Sequence, residues 1–239
     1  LFLFQAGVPG MAPRIQAVVF DMDDTLYPES QFVRGALRDA GELLDRVLPS
    51  PVGAAAFFLD VLDRTGPWRV FDTALPELGV TPDPSLIRSL VRAFRNHHPT
   101  LLPFPGIPEL LCDLRAEGLL LAVVTDGYVD VQRRKWDALG LAGHFQEVVF
   151  TGDVDGVSWP KPSPVPYRWL EERLGFHTGA VLSIGDNPAK DFPPADELGW
   201  QTIRVRFPDG FHAGASDSNG NRLQAASVRD LELQIRGFL

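Results

Sequence analysis

Three carboxylates, Asp21, Asp23 and Asp24, follow directly on the apolar run Ile15, Ala17, Val18, Val19 and Phe20. Carboxylates this close repel one another and are costly to keep ionised away from water, so they call for a cation among them or for solvent. Asp-x-Asp-Asp closed by Thr25 is therefore a candidate site for a divalent metal and for a carboxylate nucleophile. Three later polar clusters have a similar placement. Thr125-Asp126-Gly127 closes the apolar run 119–124, Trp159-Pro160-Lys161-Pro162 lies in the loop 151–163, and Gly185-Asp186-Asn187-Pro188-Ala189-Lys190-Asp191 closes the run 180–184.

Near-continuous apolar character identifies 15–20, 119–124 and 180–184 as strands covered on both faces, with shorter strands at 147–150 and 202–205. Helices are predicted at 107–117, 129–139, 165–174 and 228–235, the first three followed by Gly118, Gly140 and Gly175. A Gly/Ser/Asn-rich loop is expected over 211–221, and Asp153 to Gly156 read as a turn. Strand–helix alternation repeated this often predicts an α/β fold with a doubly wound parallel sheet. In such sheets ligands bind outside the carboxyl ends of the strands, where these polar clusters sit.

Between the first two strands the pattern changes. Phe32, Val33, Leu37, Leu43, Leu44 and Val47 recur near helical period, as do Phe57, Phe58, Val61 and Leu62, then Leu86, Ile87, Leu90, Val91 and Phe94. So much helix exceeds an ordinary crossover and predicts an inserted helical module, hinged near Pro28 and near 99–105. The division expected is a core of 1–27 and 103–239 and an insert of 28–102. Phe32, Phe57, Phe58, Trp68 and Arg69 fall in that insert, and periodicity does not tell which of them face a ligand.

Composition narrows the partners. With 22 basic and 31 acidic residues the net charge is −9, which argues against nucleic acid or an anionic membrane. Small phosphorylated metabolites remain compatible if metal, lysine and amides make the site locally electropositive. The single cysteine, Cys112, excludes an internal disulfide and is expected to be buried. The opening ten residues are apolar but lack a basic n-region, so they are expected not to act as a secretory signal, with Met11 as the start. No later apolar run reaches the ~20 residues of a membrane span. The expectation is a soluble cytoplasmic protein, with no prediction of oligomeric state.

The four clusters, in this order, resemble the haloacid dehalogenase superfamily and its phosphatases. Asp21-Met22-Asp23-Asp24-Thr25 is similar to the first family motif, Thr125-Asp126-Gly127 to the second, Lys161-Pro162 to the third, and Gly185-Asp186-Asn187 through Asp191 to the fourth. The second departs from the Ser-Asn-Gly of many members but keeps a hydroxyl. The resemblance implies a Rossmann-like core with a helical cap inserted after the first strand, and hydrolysis of a small phosphomonoester such as a sugar phosphate, phosphoglycolate or a nucleotide. It implies that Asp21 is the nucleophile and that Asp23 protonates the leaving oxygen and later activates water. It implies Mg²⁺ held by Asp21, the Asp23 carbonyl and Asp186, and a phosphoryl group held by Thr125, the Asp126 and Gly127 amides and Lys161. Asp191 would hold a metal-bound water or position Lys161, with Thr25 and Asn187 in support.

Other readings are weaker. A calcium loop is disfavoured because Leu26 occupies the glycine position and no glutamate closes the loop. A phosphomutase would use the same aspartyl-phosphate. A non-enzymatic receiver-like phosphoacceptor gathers similar residues, but in about half this length and without a helical insert. His97 and His98 are read as surface or capping residues with a possible reach to substrate. Arg133, Arg134 and Lys135 are read as a solvated helix face.

Overall fold

The computed structural model describes residues 15–176, 179–217 and 219–239, so the expectations about the first ten residues and Met11 lie outside it. Strand β1 (Ala17–Phe20) runs through the centre, buried along its whole length. Four helices follow before the next strand: α1 (Glu29–Val47), α2 (Ala54–Thr65), α3 (Val70–Glu77) and α4 (Pro84–Arg95). The chain then alternates through α5 (Ile107–Ala116), β2 (Leu120–Thr125), α6 (Val129–Leu139), β3 (Glu147–Phe150), α7 (Val165–Leu174) and β4 (Val181–Gly185). It closes with α8 (Phe192–Glu197), β5 (Gln201–Val205), β6 (Leu223–Ala225) and α9 (Val228–Arg236).

The strands form one parallel sheet in the order β3-β2-β1-β4-β5-β6, the doubly wound arrangement predicted. Val18, Phe20, Leu121, Val123, Leu182 and Ile184 face a core shared with α5, α6, α9 and the helical insert. Ala17, Val19, Ala122, Val124 and Val181 face the opposite core with α7 and α8. A slip of one residue would exchange these faces, so the two-sided burial pins the register. Phe20 stands level with Val123 on one side and Ile184 on the other. The carboxyl ends of β1, β2 and β4 therefore open side by side.

Helix α1 packs against α2 and α4, and α2 against α3. Three apolar stripes were expected here; α3 is additional, a short helix carrying an internal Pro76 that weakens its signature. Helix α8, opening on Phe192 and two prolines, and the three-residue β6 were also missed. Cys112 corrects an expectation: it is exposed, because Ile107, Leu110, Leu111 and Leu114 form the buried face of α5 and residue 112 points the other way. His97 lies over Gly35 of α1, and its Nδ1 is 2.6 Å from Asp39 Oδ2, so it braces the insert; His98 is exposed. The expected turn is present, with Gly156 N–H donating to Asp153 Oδ1.

The α1–α2 contact depends on a missing side chain. A Cβ at Gly41 would stand 2.3 Å from the Ala55 Cα and 2.4 Å from its nitrogen, backbone atoms that cannot rotate away. Gly41→Ala should therefore destabilise by about 1–3 kcal/mol despite alanine's better helix propensity. Urea unfolding checks this, and an unchanged or raised midpoint would contradict the close approach.

Candidate active site

The site begins where β1 stops. Asp21 N–H donates to the Ile184 carbonyl at 2.8 Å, continuing the ladder one residue beyond the strand. The chain then turns, with Leu26 N–H bonded to the Met22 carbonyl at 2.9 Å and Asp24 in the left-handed region at φ 52°. Met22, Leu26 and Tyr27 go beneath the turn into the core, while Asp21 and Asp23 face one cavity. Asp24 leaves the group: its carboxylate accepts from the N–H groups of Glu29 and Phe211, both at 2.8 Å. It ties the turn to α1 and to the loop before β6.

The third and fourth clusters arrive from β3, β4 and their loops. Lys161 Nζ donates to Asp21 Oδ1 and to Asp191 Oδ1, each at 2.7 Å, and is only 5% exposed. Asp191 Oδ2 accepts from Asn187 N–H at 2.8 Å, which curls the loop back on itself. Asp21, Asp186 and Asp191 each bring a carboxylate oxygen within 4.8 Å of the others. Burial, reinforced by Asp191 and Asp23 and opposed by Lys161, pushes the Asp21 carboxyl up to about 8. Burial, Asp191 and Asp21 together raise Asp186 well above the carboxylate range. Lys161 itself is disfavoured by burial, yet Asp191 and Asp21 hold it firmly protonated.

Asp186 Oδ2 is buried with no hydrogen-bond partner among the described residues. An orphaned carboxylate oxygen beside two more carboxylates fits a hard, oxygen-seeking divalent cation, which would satisfy the orphan and offset the repulsion. These residues are equipped to hold one.

Of the second cluster, Asp126 lines the same cavity. Thr125, at the end of β2, is buried, and its Oγ1 accepts from Gln132 Nε2 at 2.7 Å. Asp126 accepts from Thr151 Oγ1, the Lys161 N–H and Lys190 Nζ. Burial works to raise it, but Lys190 and Thr151 outweigh that and hold it below the usual carboxylate range. Gly127 has φ 139°, which favours glycine, and it opens onto a neighbouring depression. Asn187 presents its amide 3.1 Å from His212 Nε2, and Thr25 lies buried under the turn.

The cavity holds about 140 Å³ and is lined by Asp21, Asp23, Asp126, Lys161, Asp186, Asn187 and Asp191. Lys190 of the fourth cluster and three residues no motif pointed to, Glu29, Trp68 and His212, complete it. Trp68 reaches in from between α2 and α3, its ring 6.1 Å from that of His212. Phe58 is fully buried within the insert, and Arg69 pairs with Asp72 at the surface. Burial together with Asp23 raises the Glu29 carboxyl to about 7, with Lys135 opposing.

The solvated face expected of Arg133, Arg134 and Lys135 is corrected. Arg133 is exposed over the Phe150 ring and Arg134 bonds the Arg95 carbonyl, but Lys135 is buried and bonded to both oxygens of Asp23. The signal was available. Gln132 and Lys135 occupy the same α6 stripe as Val131, Trp136 and Leu139, and polar residues on a buried stripe need buried partners.

With this geometry, the carboxylates of Asp21 and Asp23, the buried Lys161 ammonium and a metal-competent triad share one small cavity. Residues 15–199 match the family model of the haloacid dehalogenase-like hydrolases. A glyceraldehyde 3-phosphate phosphatase of Methanopyrus kandleri is 31% identical over 199 residues, 80% of this chain and 84% of that protein. A phosphoserine phosphatase of Thermus thermophilus is 29% identical, over 80% of this chain and 88% of its own. Among solved structures, the HAD-hydrolase YfnB of Bacillus subtilis, bound to magnesium, superposes with a TM-score of 0.67 at 20% identity, covering 93% of this chain and 99% of that one.

The raised carboxyls make cation binding proton-linked. Without metal, Asp21 carries a proton below about pH 8, and a cation must displace it. Calorimetric titration of the metal-free protein with Mg²⁺ should therefore release protons near neutral pH and show affinity rising from about pH 6 to about pH 8. An affinity independent of pH over that interval would contradict the carboxylate assignment.

Proposed function

This chain belongs to the haloacid dehalogenase-like hydrolase family, with phosphatases among its relatives, and from that premise we propose a Mg²⁺-dependent phosphatase of small phosphorylated metabolites. The observation that carries the reading is Lys161, buried between Asp21 and Asp191 beside the unpartnered Asp186 oxygen. A phosphoryl group needs a nucleophile aligned with it and positive charge around its oxygens, and these residues combine both.

In this reading an Asp21 carboxylate oxygen attacks phosphorus, the ester P–O bond breaks, and Asp23 gives its proton to the departing alkoxide. Water then attacks the aspartyl-phosphate. Asp23 takes the water's proton, phosphate departs and the Asp21 carboxylate is restored. Lys161, the Thr125 hydroxyl and the Asp126 and Gly127 amides orient the phosphoryl oxygens. Gln132 donates to Thr125, which leaves the Thr125 hydroxyl proton available for such a bond. Asp21, the Asp23 carbonyl and Asp186 would hold the cation, with Asp191 positioning Lys161 and Thr25 and Asn187 in support. When bound, the cation supplies positive charge against the transferring oxygens.

Residues 28–102 form the cap in this reading, and 1–27 with 103–239 the catalytic core. Glu29 and Trp68 already contribute to the cavity wall, and about 140 Å³ suits a short leaving group. Glyceraldehyde 3-phosphate and phosphoserine, the substrates in the relatives' names, are three-carbon monoesters of that kind. A cytoplasmic site of action accords with the single cysteine. Among the described residues no helix is long and apolar enough to cross a membrane.

Asp21→Asn should lower phosphate release by roughly a thousand-fold or more while leaving the circular dichroism spectrum and unfolding midpoint close to the parent's. Near-normal turnover by that variant would exclude Asp21 as nucleophile. Chelation with EDTA should silence the enzyme and Mg²⁺ restore it; full activity in chelator would remove the metal from the mechanism.

A further inference from the structure

The Asp23 carboxylate is enclosed by donors. Oδ1 accepts from the Tyr27 hydroxyl at 2.5 Å and from Lys135 Nζ at 3.0 Å. Oδ2 accepts from Gln132 Nε2 at 2.8 Å and from Lys135 Nζ at 3.0 Å. Gln132 and Lys135 stand three residues apart on α6, one turn of one face, which lets both side chains converge on a single group. Gln132 spends its second N–H on Thr125, so one amide fixes the spacing between Asp23 and the end of β2. The Lys135 ammonium also meets the insert. It lies 3.4 Å from Glu29 Oε1 at the first residue of α1 and 4.5 Å from the centre of the Phe32 ring.

Burying an ammonium is costly before its partners compensate, and an apolar residue of similar volume often packs as well or better. The neighbouring stripe positions on α6 hold apolar residues, Val131, Trp136 and Leu139. A lysine here makes physical sense if the carboxylate it grips must be kept at one orientation. We infer that Lys135 and Gln132 are positioning residues for the acid/base: they aim the Asp23 carboxyl at the leaving oxygen, and Lys135 registers it against the first turn of α1 through Glu29 and Phe32. This inference rests on the reading of Asp23 as the proton donor.

Leaving groups separate such a role from a structural one. Nitrophenolate departs without a proton, whereas an alkoxide needs one, so misplacing the acid penalises alkyl esters selectively. The probes are p-nitrophenyl phosphate and whichever of glyceraldehyde 3-phosphate, phosphoserine and glycerol phosphate the unaltered enzyme turns over fastest. Lys135→Met and Gln132→Met should each lose about ten-fold more kcat/KM on the alkyl ester than on the aryl ester. Gln132→Met, which leaves the buried charges paired, keeps the test readable if Lys135→Met fails to fold. Equal losses on the two esters would overturn the inference. Asp23→Asn serves as the reference. If it discriminates between the esters and the α6 variants do not, the positioning role alone falls; if it does not discriminate, the acid/base reading falls with it.

Discussion

The site turns on the neutralisation of buried negative charge. Asp21, Asp186 and Asp191 are brought together at the carboxyl ends of β1 and β4, where desolvation would drive protons onto them. Lys161 offsets part of that repulsion by donating to Asp21 Oδ1 and Asp191 Oδ1, each at 2.7 Å. The remainder is what suits the site to a hard divalent cation and to a phosphoryl group whose charge redistributes during transfer. The sheet makes the cluster tolerable because β1 and β4 are fixed in register by apolar contacts on both faces, so the carboxylates cannot relax apart.

A second constraint links this centre to the helical insert. Asp24 accepts from residues at either side of the site, Glu29 at the start of α1 and Phe211 in the loop before β6. Arg204, buried in β5, reinforces that loop by donating to the carbonyls of Asp186 and His212. Lys135 then joins α6 to Glu29 and Phe32 of α1. Two of these connections, through Asp24 and Lys135, meet at Glu29 where α1 begins, and each of the three touches, or lies one residue from, a group lining the cavity.

The family match and the helices between β1 and β2 together set aside a receiver-like phosphoacceptor, which has no place for such an insert. The fold alone does not choose among the family's chemistries, because function resides in the site rather than the architecture. Here the second carboxylate supplies the distinguishing feature. In the proposed mechanism, a proton donor at Asp23 serves to expel an alkoxide and has no task in displacing a halide from carbon.

Much of this protein was legible in its residues taken in order. The runs ending at Phe20, Val124 and Ile184 announced buried parallel strands because such strands must be apolar on both faces, and polar clusters at their ends announced the site. Local pattern also located α6, β3 and α7 at their observed bounds. What it did not reveal were partners distant in sequence. Lys135 read as a solvated charge until the packing of α6 on the first strand's turn placed it against Asp23, and Trp68 and His212, with no motif around them, met only because the insert and a late loop fold over the same cavity. Periodicity reports which face of an element is buried, whereas the identity of a buried polar group's partner depends on contacts across a hundred residues that only the folded chain brings together.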